Sequence, residues 1–98
     1  MNYLPRVIEA RHVREFIVST RFDDGTEKDI DISQWFKGPV FEPLRDPKFF
    51  KKFLVEAGTL AWPNGVDIAP EALYAARGSL RKGPNKRMER TRKTRRSS

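Results

Sequence analysis

"EFIVSTRFDDGTEKDIDI", Glu15 to Ile32, decides the fold, because its apolar residues obey a period of two on both sides of a turn. Phe16, Val18 and Phe22 fall on one face of the first half, Ile30 and Ile32 on one face of the second, and Glu27, Asp29 and Asp31 on the other. The loop length follows from parity. A two-residue Asp24-Gly25 loop would pair Phe22 with Glu27 and put the isoleucines on the wrong side of the sheet. A three-residue loop, Asp23 to Gly25, pairs Phe22 with Thr26 and Val18 with Ile30, which keeps one apolar face. The sequence therefore predicts a hairpin whose type I turn ends on a left-handed Gly25 in a bulge.

Upstream, Arg6 to Arg11 reads as a further short strand, so the N-terminal half is a hairpin or meander. Downstream, Ser33 is the expected cap of a single turn through Gln34, Trp35 and Phe36, ended by Gly38 and Pro39. Asp46-Pro47 is an N-cap followed by a first-turn proline. Phe49, Phe50 and Phe53 beyond it form one stripe while Lys48, Lys51 and Lys52 point elsewhere, which predicts an amphipathic helix of two to three turns. Gly58 separates that helix from a strand over Thr59–Trp62, paired with Leu54-Val55.

The stretch "WPNGVDIAPEALY", Trp62 to Tyr74, reads as a lock for the fold. Pro63-Asn64-Gly65 is a turn, and Pro70 takes the first helical position after Ala69. Ile68 and Leu73 then stand at the two positions of a hydrophobic staple. Glu71 suits the positive end of the helix dipole, and Asp67 is expected to accept loop or helix amide protons. Trp62, Asn64, Asp67, Glu71 and Tyr74 are thus the candidates for either a fold lock or contact with a partner. The expected class is α+β: a small antiparallel sheet and a second short hairpin packed by one or two short helices.

These motifs carry a resemblance. The hairpin Phe22–Gly25, the Asp31–Trp35 and Phe41–Asp46 segments and the phenylalanine helix stand in an order similar to the bacterial domain of unknown function 2442 family. So does the run Trp62, Asn64, Gly65, Asp67, Pro70, Glu71, Leu73 and Tyr74, the most specific of the motifs. The resemblance covers about Tyr3 to Tyr74. It implies a compact α+β fold with a small antiparallel sheet and says little about activity. Members resemble one half of a two-gene module, encoded beside a second small protein, which implies a protein partner.

Charge divides the chain. Residues 1–76 hold all eleven aromatic residues and carry 10 Lys+Arg against 12 Asp+Glu, a balance of −2; residues 77–98 carry 10 against 1, a balance of +9. The reading is a compact domain over 1–76 and a basic, disordered tail over 77–98. Arg77, Arg81, Lys82, Lys86, Arg87, Arg90, Arg92, Lys93, Arg95 and Arg96 are its candidate contacts to nucleic acid or another polyanion, through phosphates and without sequence preference. With no cysteine there is no disulfide or thiolate site, and no stretch approaches the ~20 apolar residues of a membrane span. The chain reads as cytoplasmic, with no membrane partner. His12 is expected in a turn between strands, without ligand company, and Asp29 and Asp31 on a solvated strand face. No phosphate loop, nucleophile elbow or metal-spaced cluster is present. The expectation is a non-enzymatic interaction domain without cofactor or metal.

Overall fold

The computed structural model describes residues 4–83. Three strands open the chain, β1 (Val7–Arg14), β2 (Ile17–Phe22) and β3 (Glu27–Asp31), and a last strand, β7 (Gly78–Lys82), returns to complete a four-stranded antiparallel sheet in the order β1-β2-β3-β7. A second sheet contains β4 (Leu54–Glu56), β5 (Thr59–Ala61) and β6 (Asp67–Ile68) in chain order. Between the sheets run two 3₁₀ segments, Ile32–Trp35 and Pro39–Arg45, and the short helix α1 (Pro47–Phe50); helix α2 (Pro70–Ala75) links β6 to β7. The α+β class with small antiparallel sheets and short helices is the one the sequence predicts.

The central hairpin has the register that parity demands. Val18 pairs with Ile30, Phe22 N–H donates to the Thr26 carbonyl at 2.8 Å, and Gly25 has φ 93°. Asp24 Oδ1 accepts from Thr26 N at 2.9 Å, so the turn is held by a side chain as well. The inner face of this sheet supplies Val7, Val18, Phe22 and Ile30 to a core shared with Phe50, Leu60, Trp62 and Leu73. Val7 N–H donates to the Gly58 carbonyl at 3.0 Å, which joins the start of β1 to the β4–β5 turn.

Several expectations are corrected. The segment after Ala76 does not begin as a disordered tail: Gly78–Lys82 pairs with β3, so the folded unit extends past the expected boundary. The physical reason is non-local. Without β7, β3 would present an unpaired edge, and backbone pairing there needs little apolar content from the added strand. The phenylalanine helix is one turn, Pro47–Phe50, because the chain bends at Lys51-Lys52 to deliver Phe53 to the core and start β4. Asp31, not Ser33, caps the first 3₁₀ segment, its carboxylate accepting from Ser33 N at 3.0 Å and Oγ at 2.6 Å. His12 lies within β1 opposite Val18 rather than in a turn; its Nε2–H donates to the Glu15 carbonyl at 2.8 Å and its ring meets the edge of Phe50.

Candidate functional site

Two side chains of the Trp62–Tyr74 stretch, the indole and the phenol, donate long-range hydrogen bonds that hold it in place. The Trp62 indole is buried against Phe50 and Phe53, and its Nε1–H donates to the Phe50 carbonyl at 2.9 Å, which ties β5's end to α1. Asn64 Oδ1 accepts from Val66 N at 3.3 Å, closing the turn locally. Ile68 and Leu73 are both buried, as the staple requires. At the far end the Tyr74 hydroxyl donates to Asp24 Oδ2 at 2.6 Å, with its ring edge-on to Phe22. Thr26 Oγ1 completes the group, 3.3 Å from the Tyr74 oxygen.

Asp67 and Glu71 stand apart from that lock. Both are exposed, and among the described residues the Asp67 carboxylate accepts no amide proton. The reason is strand parity: Asp67 pairs with Ala61 in β6, and Ile68 beside it takes the inward position. The helix end that a side chain does close is the other one, through Lys28. This lysine lies on the inward face of β3, and its Nζ donates to the carbonyls of Tyr74 at 2.6 Å and Ala76 at 2.8 Å, closing the C-terminal end of α2. Burial pushes its ammonium below its usual range. The signal was present in the sequence, because Lys28 shares parity with Ile30 and Ile32.

Electrostatics at the hairpin turn follow from the same contacts. Burial works to raise the Asp24 carboxyl, but the hydrogen bonds from Tyr74 and Thr26 outweigh it and hold the group below the ordinary carboxylate range. The bond to Asp24 raises the Tyr74 phenol in turn.

Opposite the core, the four-stranded sheet has an uncovered, charged face. Cross-strand pairing sets Glu9 beside Arg21 and Arg21 beside Glu27, with Lys82 next on β7; nearer the other end come Arg11, Ser19, Asp29 and Ser79. Arg21 pairs with Glu9, and Arg81 Nε donates to Asp29 Oδ1 at 2.6 Å. Asp29 is therefore engaged in an ion pair rather than simply solvated. At the end of this face a cleft of about 380 Å³ is lined by Arg14, Ile17, Asp29, Asp31, Gln34, Arg77, Gly78 and Ser79. Arg77, Arg81 and Lys82 of the expected polyanion contacts thus belong to the folded body. Lys86, Arg87, Arg90, Arg92, Lys93, Arg95 and Arg96 lie outside the described residues. Among the described residues no three His, Cys, Asp or Glu side chains form a metal-binding group, and no helix is long and apolar enough to cross a membrane.

Fold and surface together define a small α+β domain with one charged sheet face left open. The chain belongs to the family described as "Protein of unknown function (DUF2442)", whose model matches residues 7–79. That match passes Tyr74 and takes in the first residues of β7. No curated protein and no solved structure matches the chain.

Proposed function

We propose that this protein is a non-catalytic binding module whose basic C-terminal segment engages the phosphate backbone of nucleic acid, or a like polyanion, while the folded body docks a protein partner. One observation carries the reading: Lys86, Arg87, Arg90, Arg92, Lys93, Arg95 and Arg96, against the single acid Glu89, follow directly on a strand that already bears Arg81 and Lys82. Such a density of cations favours binding through counterion release, and a segment without aromatic residues has no stacking platform to read bases. Binding is then weak and indifferent to sequence.

Titration of duplex DNA with the full chain and with a chain ending at Gly83 tests this. If ~5 cations contact phosphates together, log K should fall with log salt at a slope of about −4.5, and the shortened chain should lose most of its affinity. Equal binding by both chains, or none by the full chain at low salt, would refute the nucleic-acid reading.

A second reading, an accessory or neutralising protein of a two-gene module with an incidental basic segment, is favoured by an exposed groove. Leu4, Pro5, Arg6, Ala57, Pro70 and Glu71 line it, and Leu4 is 57% exposed. Loss of the chain's biological effect on altering this groove, with the basic segment dispensable, would select that reading.

A further inference from the structure

The cleft at the end of the open sheet face holds two arginines whose charge nothing around them uses. Arg14 pairs across β1–β2 with Ile17, and Ile17 pairs across β2–β3 with Asp31. Arg77 immediately precedes Gly78, which pairs with Ile30, so Arg14 and Arg77 flank the same end of the sheet from its two outer strands. Among the described residues neither guanidinium has a hydrogen-bond or ion-pair partner.

The two acids of the cleft are engaged unequally, Asp29 by an ion pair and Asp31 through Oδ1 alone, which leaves Asp31 Oδ2 without a partner among the described residues. Asp29 is taken by Arg81, and Asp31 accepts from Ser33 N and Oγ. Gln34 Nε2 donates to the carbonyls of Asp31 at 2.8 Å and Arg77 at 3.3 Å, which fixes the backbone carrying Arg77 while leaving its side chain free. Setting the Asp29–Arg81 pair aside as neutral, Arg14 and Arg77 face the one remaining charge of Asp31, an excess of one cation.

We propose that this cleft is a carboxylate site for a small ligand, which presents its carboxylate to Arg14 and Arg77 and a neighbouring N–H to Asp31. A guanidinium matches a carboxylate through two parallel N–H···O bonds. The excess of one cation suits a monoanion, whereas a phosphate dianion would meet the carboxylates of Asp29 and Asp31 on the same walls. Ile17 offers an apolar surface for the carbon beside the carboxylate. The volume lies at the low end for ligand pockets, which limits the occupant to an end group. A carboxylate with an adjacent amide N–H has two sources, the C-terminal residue of a peptide and a free N-acylated amino acid. The site uses no residue beyond Gly83, so it goes beyond the polyanion reading and stands or falls apart from it.

The test is a titration of the full chain, followed by backbone amide NMR shifts, with N-acetylalanine, an N-acetylated tripeptide ending in alanine, the same tripeptide amidated, and inorganic phosphate. Shifts at Ile17, Asp31 and Ser79 should saturate with either carboxylate and not with the amide. A tighter tripeptide assigns a peptide C-terminus as the source, and equal affinities assign the small acid. Arg14→Gln and Arg77→Gln should each weaken binding by about tenfold, the worth of one hydrogen-bonded charge, with melting temperatures unchanged. Binding of the amidated peptide as tight as that of the acid would overturn the proposal. So would phosphate binding more tightly than either carboxylate, undiminished binding by the double variant, or absence of saturable shifts at these three amides.

Discussion

Ala57 occupies the first central position of a two-residue hairpin loop, with φ 52°, and Gly58 follows at φ 80°. Both angles belong to a type I′ turn, which Gly tolerates at the second position and Asn suits at the first. Alanine there carries a left-handed strain of about 1 kcal/mol. Ala57→Asn should accordingly raise stability by roughly 0.5–1 kcal/mol, read as a higher melting temperature, and a fall would show that the turn is of another type. Tyr74 and Asp24 make a pH-dependent prediction. Asp24 is lowered from 3.8, so its contribution is present above that value and lost as pH falls through the folded value; Tyr74 is raised from 10.0, so its contribution is present below that value and lost as pH rises through the folded one. The gap in melting temperature between the protein and Tyr74→Phe should therefore be widest between about pH 4 and 10 and narrow on both sides. A gap constant from about pH 2 to about pH 11 would remove the bond's role. At this scale local chemistry was legible: Gly25, Asp46 and Pro70 announce their conformations within a few residues. Asp67 was misread because a pairing partner in β5, not its neighbours in sequence, decides which way it faces.

The strands differ in how much of them can be read. β2 and β3 declare themselves by alternation, and their register follows from one parity argument because a single slip would expose Val18, Phe22 and Ile30 together. β7 carries no such signal: its five residues are all exposed, and Leu80 is its one large apolar side chain. What permits it to dock is Gly78. A Cβ at that position would stand 2.5 Å from the Asp29 carbonyl oxygen, backbone that has little room to move. Gly78→Ala should therefore destabilise the protein by about 1–3 kcal/mol and release amide protection along Ser79–Lys82 first. Protection retained there with an unchanged melting temperature would mean that the strand tolerates the methyl group. Helix α1 illustrates the opposite difficulty. The phenylalanine stripe is real, but it is satisfied by one helical turn and the bend after it, since Phe50 and Phe53 reach the same indole from either side of that bend.

The whole molecule joins these elements through contacts that composition divides. The change in charge balance at Arg77 falls inside the fold, because the sheet closes with a strand drawn from the basic side of that boundary. A chain ending at Ala76 should be markedly less stable than one ending at Gly83, with a lower denaturation midpoint, since β3 loses its outer partner while Lys28 keeps its acceptors at Tyr74 and Ala76. Equal midpoints would show that β7 adds nothing to the body. Charge composition was thus a good guide to which residues are basic and a poor guide to where the fold ends.

The manner in which β7 is attached also sets how a load on the chain would be borne. Lys82 pairs with Glu27 close to the hairpin turn, while Gly78 lies at the opposite end, just past the carbonyls that Lys28 grips. Tension applied beyond Gly83 and directed away from the sheet would peel the ladder one rung at a time from Lys82, and would stop at the lysine clamp with the core intact. The same tension directed along the strand would load every rung together in shear and meet far greater resistance. A partner gripping the C-terminal segment would thus feel a hinge from one direction and a rigid strut from the other.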